Sequence, residues 1–129
     1  MKLQPHHIGI VVSDLERSTA FYRALGFETV SEIPSEDSSR TIRFMRLGAL
    51  QLEFFWYAAT PQKPTPTSAK QLGFLHLALS VDDIDSALGE LKAAGIVPDD
   101  IAVQDIPAGF RIAFFDDPDG LQIELTQPV

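Results

Sequence analysis

The chain contains no cysteine, which excludes disulfides, thiolate metal ligands and a thiol nucleophile. Long apolar runs are missing too. Nothing approaches the roughly 20 consecutive apolar residues of a membrane-spanning helix, and the opening MKLQPHH has no apolar segment of the kind that directs secretion. These absences lead us to expect a cytoplasmic protein with no membrane partner. Positive charge is scarce: 10 Lys and Arg stand against 18 Asp and Glu, for a formal net charge of −8. Such a surface repels phosphate backbones, so nucleic acid is not an expected partner. A chain of 129 residues, 45% hydrophobic and 22% charged, has the size and balance of a single soluble domain able to bury a core.

What is present is an internal repeat. HIGIVVSDLERSTAFYRALGF begins at His7 and HLALSVDDIDSALGELKAAGI begins at His76; at a shift of 69, Asp14 falls on Asp83 and Gly26 on Gly95. Later in each half LQLEF (50–54) falls on LQIEL (121–125) at a shift of 71, so Gln51 matches Gln122 and Glu53 matches Glu124. Each half therefore carries one histidine and one glutamate at equivalent places.

Each half reads as strand, helix, then three strands. HIGIVV and HLALSV have strand length and composition. Ser13 with Glu16 has the form of a capping box, and Asp82 is a good N-cap before Ile84, Ala87, Leu88 and Leu91, which lie on one helical face. Gly26 and Gly95 fit the left-handed position that ends a helix. TIRFMRL, LQLEFFW, RIAFFD and LQIEL supply further strands, with DDPDG (116–120) as a turn between the last two. The Pro- and Thr-rich TPQKPTPTSAK separates the halves. The expected fold is thus α+β: two tandem βαβββ modules, residues 1–58 and 71–129 joined by a loop at 59–70, forming cup-shaped mixed sheets in one domain.

Strand alternation assigns faces. His7 shares a side with Gly9 and Val11, and His76 with Ala78 and Ser80; Glu53 opposes Leu52 and Phe54, and Glu124 opposes Ile123 and Leu125. All four polar residues lie on the side turned away from the apolar, helix-covered one. A lone His at a strand end is usually surface, and a lone Glu on an open sheet face is usually solvated. The same two residue types at the same two places in both copies outweigh those readings. His7, Glu53, His76 and Glu124 together make an N- and O-donor set suited to one divalent ion. His6 points the other way and is read as an ordinary surface residue.

HIGIVVSDLERSTAFYRALGF, HLALSV and DPDGLQIEL resemble the vicinal oxygen chelate superfamily, which includes glyoxalase I, extradiol dioxygenases, methylmalonyl-CoA epimerase, and fosfomycin and bleomycin resistance proteins. The resemblance covers nearly the whole chain. It implies that ligands on equivalent strands of paired βαβββ modules hold one metal, the matching positions being His7, Glu53, His76 and Glu124. The His/Glu/His/Glu set looks most like glyoxalase I, which implies nickel, cobalt or zinc, with iron or manganese as the other metals of the superfamily. It implies a lyase or isomerase that shifts a proton on a substrate with vicinal oxygens such as a hemithioacetal, with Glu124 or Glu53 as the base. A homodimer is the assembly implied.

The match has gaps. After Glu53, glyoxalase I of bacteria reads more like Leu-Thr-Tyr-Asn-Trp, where this chain has Phe54-Phe55-Trp56-Tyr57. Arg43, Arg46, Lys63, Lys70 and Arg111 are candidates for binding substrate carboxylates, against the plainer reading of solvated surface charge. Two alternatives stay open: an extradiol-type dioxygenase needing Fe(II) and oxygen, and a metal-free ligand-binding or resistance protein.

Overall fold

The computed structural model describes residues 1–61 and 70–128. In the first half β1 (Ile8–Val12), α1 (Leu15–Ala24), β2 (Glu28–Pro34), β3 (Arg40–Leu47) and β4 (Leu50–Tyr57) follow one another. The second repeats the series with β5 (Leu77–Ser80), α2 (Ile84–Ala93), β6 (Gln104–Ile106), β7 (Phe110–Asp116) and β8 (Gln122–Pro128). Each half is a four-stranded sheet, ordered β1-β4-β3-β2 and β5-β8-β7-β6. The β1–β4 and β5–β8 pairs are parallel and the rest antiparallel. The α+β fold of two mixed sheets and two helices is the one expected. The chain divides into two compact units, Met1–Lys63 and Pro64–Val129, and most of the separating segment (62–69) lies outside the described residues. Among the described residues no helix is long and apolar enough to cross a membrane.

The helix starts differ from expectation by one residue each. Ser13 and Asp82 are not the caps; Asp14 and Asp83 are, both in extended backbone. Asp14 Oδ1 accepts the Arg17 N–H at 3.0 Å, and Asp83 Oδ1 accepts the Ser86 N–H at 3.0 Å. A carboxylate here meets both the open N–H groups and the positive end of the helix dipole. The Glu16 carboxylate pairs with Arg43 of β3 at 2.9 Å. Asp14→Ala and Asp83→Ala should each lower stability by about 1 kcal/mol, read as a fall in the urea midpoint.

Both helices end alike. Gly26 (φ 104°) and Gly95 (φ 72°) take the left-handed conformation expected of them. Phe27 N–H bonds Tyr22 C=O and Gly26 N–H bonds Arg23 C=O; Ile96 to Leu91 and Gly95 to Lys92 repeat the pattern. These are paired Schellman motifs.

Each unit builds its own core beneath its helix. In the first, Tyr22, Phe27, Met45, Leu52 and Phe54 are buried, with the Tyr22 ring 5.0 Å from Phe54 and 5.6 Å from Phe27. In the second, Ile84, Leu88 and Leu91 of α2 are buried, as are Leu77, Leu79, Ala113, Phe115, Ile123 and Leu125. Gln127 Oε1 accepts the Ile84 N–H at 2.8 Å and ties the start of α2 to β8. The DDPDG turn closes around Asp117, a buried side chain whose Oδ1 accepts the N–H groups of Asp119 and Leu121, both at 2.9 Å.

Candidate metal and catalytic site

The histidines stand one residue ahead of their strands, since β1 begins at Ile8 and β5 at Leu77. Parallel pairing then sets each glutamate beside its histidine. Gly9 lies opposite Glu53 and Ala78 opposite Glu124, so the neighbour of each carboxylate is a small residue. A Cβ added to Gly9 would touch only the Phe55 ring, at an ordinary 3.6 Å, which matches the alanine in the second half. His7 Nε2 lies 3.6 Å from Glu53 Oε2, and His76 Nε2 lies 2.9 Å from Glu124 Oε2. The alternation inferred from sequence holds within each unit: Leu52 and Phe54, like Ile123 and Leu125, are buried, while the glutamates between them face away.

A residue type that the polar ligand pattern did not flag completes each pair. Phe44 lies across from Glu53 and Phe114 across from Glu124. Their rings sit 5.8 Å from His7 and 5.7 Å from His76, centroid to centroid. The signal was in the repeat, where TIRFMRL and RIAFFD place a phenylalanine at the same point of the ladder. Each ring walls one side of its donor pair with apolar surface. The Glu53 and Glu124 side chains keep only 13% and 15% of their exposure, enough for an ion or small solute to touch while bulk water is largely kept off.

Among the described residues no group of three or more His, Cys, Asp or Glu side chains forms a cage for a metal ion; each unit gathers one imidazole and one carboxylate. The donor chemistry fits a divalent ion of intermediate softness. His76 Nδ1 is buried without a hydrogen-bond partner, so this ring offers only Nε2 to the open face.

Of the cations considered for substrate carboxylates, two are engaged elsewhere. Arg43 donates to Glu32 at 3.0 Å and to Thr19 Oγ1 at 2.9 Å, besides pairing with Glu16. Burial works against its charge, but the hydrogen bonds to Glu16 and Glu32 outweigh it and hold the guanidinium above its usual range. Arg111 binds Asp85 at 2.7 Å and Asp105 at 3.1 Å, and its hydrogen bond holds the Asp85 carboxyl below the usual range. Both arginines pin a helix start to its own sheet. Arg46 is exposed and lies opposite Gln51 on β4, on the Phe44 side of β3; Lys70 is exposed, and Lys63 falls outside the described residues. In FFWY, Phe54 is core, whereas Phe55 and Tyr57 stack at 6.2 Å on the glutamate side of β4. A depression beside α2, lined by Leu88, Gly89, Lys92 and the 99–103 loop, shares no residue with the donor pair.

Comparison with known proteins agrees with this arrangement. The sequence model of the Glyoxalase/Bleomycin resistance protein/Dioxygenase superfamily matches residues 4–125. YaeR of Escherichia coli K12 is 39% identical over 96% of this chain and 95% of its own length. A 2-epi-5-epi-valiolone epimerase of Actinomyces sp is 31% identical over 93% of this chain and 76% of its own. A "Probable lactoylglutathione lyase" of Vibrio cholerae is 28% identical over 94% of this chain and 88% of its own. The crystal structure of a glyoxalase family protein from Enterococcus faecalis superposes with a TM-score of 0.75 at 30% identity, covering 95% of this chain and 96% of that one. With the His–Glu repeat and the paired βαβββ units, these matches place the chain in the Glyoxalase/Bleomycin resistance protein/Dioxygenase superfamily, to which it belongs.

Proposed function

We propose that the protein is a divalent-metal-dependent lyase or isomerase of the glyoxalase I type, moving a proton on a small substrate with vicinal oxygens such as a hemithioacetal. The observation that carries this reading is the duplicated His–Glu pair, each with its phenylalanine wall. His7, Glu53, His76 and Glu124 would hold the ion, with nickel, cobalt or zinc the metals of choice. When bound, the ion supplies Lewis-acid stabilisation of charge developing on a substrate oxygen. Glu124, or Glu53 in its place, takes the C–H proton through a carboxylate oxygen and returns it to the adjacent carbon. Phe44 and Phe114 wall one side of each carboxylate and limit the water that reaches it. Relatives named for lyase and epimerase activities support this class. We further propose a homodimer, supported by the exposed Val11, Val30 and Ile33 of the first unit.

Metal analysis of protein purified without chelators, followed by a hemithioacetal assay, tests the reading. About one equivalent of metal is expected per complete site, with activity lost on chelation and restored by nickel or zinc. Oxygen uptake with a catechol would assign the site to ring cleavage instead. Tight binding of a ligand without metal or turnover would assign it to sequestration. A monomeric mass by light scattering across micromolar concentrations would contradict the dimer.

A further inference from the structure

The sequence reading left His6 without a role, but its ring is in contact with the first donor histidine. His6 Nδ1 lies 2.6 Å from His7 Nδ1, and the two rings meet edge to face with centroids 4.9 Å apart. Two ring nitrogens at that distance share one proton: one donates and the other accepts. The distance from His7 to its glutamate indicates which. His76 Nε2 stands 2.9 Å from Glu124 Oε2, and its Nδ1 is buried without a partner, so no neighbour holds that ring from behind as His6 holds His7. The 3.6 Å between His7 Nε2 and Glu53 Oε2 is too long for one. Two acceptors facing each other stand apart in this way.

We infer that His6 is a positioning residue: it accepts the His7 Nδ1–H, fixes the ring orientation and the Nδ1–H tautomer, and leaves the Nε2 lone pair free for the metal. The hydrogen bond on one imidazole nitrogen decides which nitrogen is free to ligate. The second half has no such device, since the repeat places Leu75 where His6 stands. The first half is therefore set for ligation by a neighbour that the second half lacks. This inference rests on the metal reading above for its purpose, and on ring geometry alone for its substance.

The test uses the full chain labelled with ¹⁵N-histidine, without metal and at a fixed, mildly alkaline pH. Two-bond ¹H–¹⁵N spectra read the tautomer of each ring. In the wild type His7 should show a protonated Nδ1 and a bare Nε2; His6→Ala should mix the tautomers, and His6→Gln, which returns an acceptor oxygen, should restore the first. Nickel or zinc titration by calorimetry should show a loss on the order of 10-fold in affinity for His6→Ala, the lower end of what removal of a ligand's hydrogen-bond partner costs. His6 is exposed, so the variants keep their fold, and circular dichroism confirms it. A wild-type His7 protonated on Nε2, or a His6→Ala protein with unchanged tautomer, overturns the inference. Failure of the wild type to bind either metal overturns the metal reading instead, while the tautomer spectra still decide the role of His6.

Discussion

Glu124→Gln should lower turnover by about 10²-fold or more while retaining much of the bound metal. Glutamine preserves the side-chain length and one oxygen donor, so a ligand role survives in part. It lacks the basicity needed to accept a proton from carbon, so the chemical step does not. The effect should fall on kcat, with KM changed little, because the lost interaction belongs to the transition state rather than to substrate binding. Glu53→Gln serves as the comparison, the superfamily resemblance favouring Glu124 as the base. Full activity in Glu124→Gln would remove this residue from the reaction, and a larger loss in Glu53→Gln would exchange the two roles.

Phe54→Ala should destabilise the protein by about 3–5 kcal/mol, the range for truncating a fully buried aromatic ring. Phe54 is 0% exposed and packs against Tyr22, which is also fully buried. Its place in β4, between Glu53 and Phe55, means the loss has a functional side. A cavity under the strand loosens the register that holds Glu53 opposite Gly9. Urea denaturation should show a markedly lower midpoint, and residual activity should fall further than the folded fraction accounts for. A change below about 1 kcal/mol would contradict the packing described for this core.

The fold and the donor pairs were legible because both are written in the repeat. Periodicity put His7 and Glu53, and His76 and Glu124, on the uncovered faces, and parallel pairing brought each pair together. What the sequence concealed came from competition and distance. Ser13 and Asp14 both satisfy the local rule for a cap, as do Asp82 and Asp83. The choice fell to the residues whose carboxylates reach the third helical N–H, and Glu16 in α1 pairs with Arg43, which the sequence places 27 residues away on β3. Arg43 and Arg111 looked free for substrate because their partners lie at sequence separations that no local pattern spans. Phe44 and Phe114 went unnoticed because an apolar residue in a strand is ordinarily core, and only the ladder shows them opposite the glutamates.

The parallel β1–β4 ladder makes the donor geometry discrete rather than adjustable. Successive strand residues point to opposite faces, so a slip or insertion of a single residue within β4 would turn Glu53 into the core and bring Leu52 or Phe54 out beside His7. A second inserted residue would restore the face but move the carboxylate along the strand by about 7 Å, two strand steps, far outside contact. Intermediate placements do not exist on such a lattice. Variation in this chain can therefore exchange the donor at a fixed rung, but it cannot slide the donor gradually toward or away from its histidine.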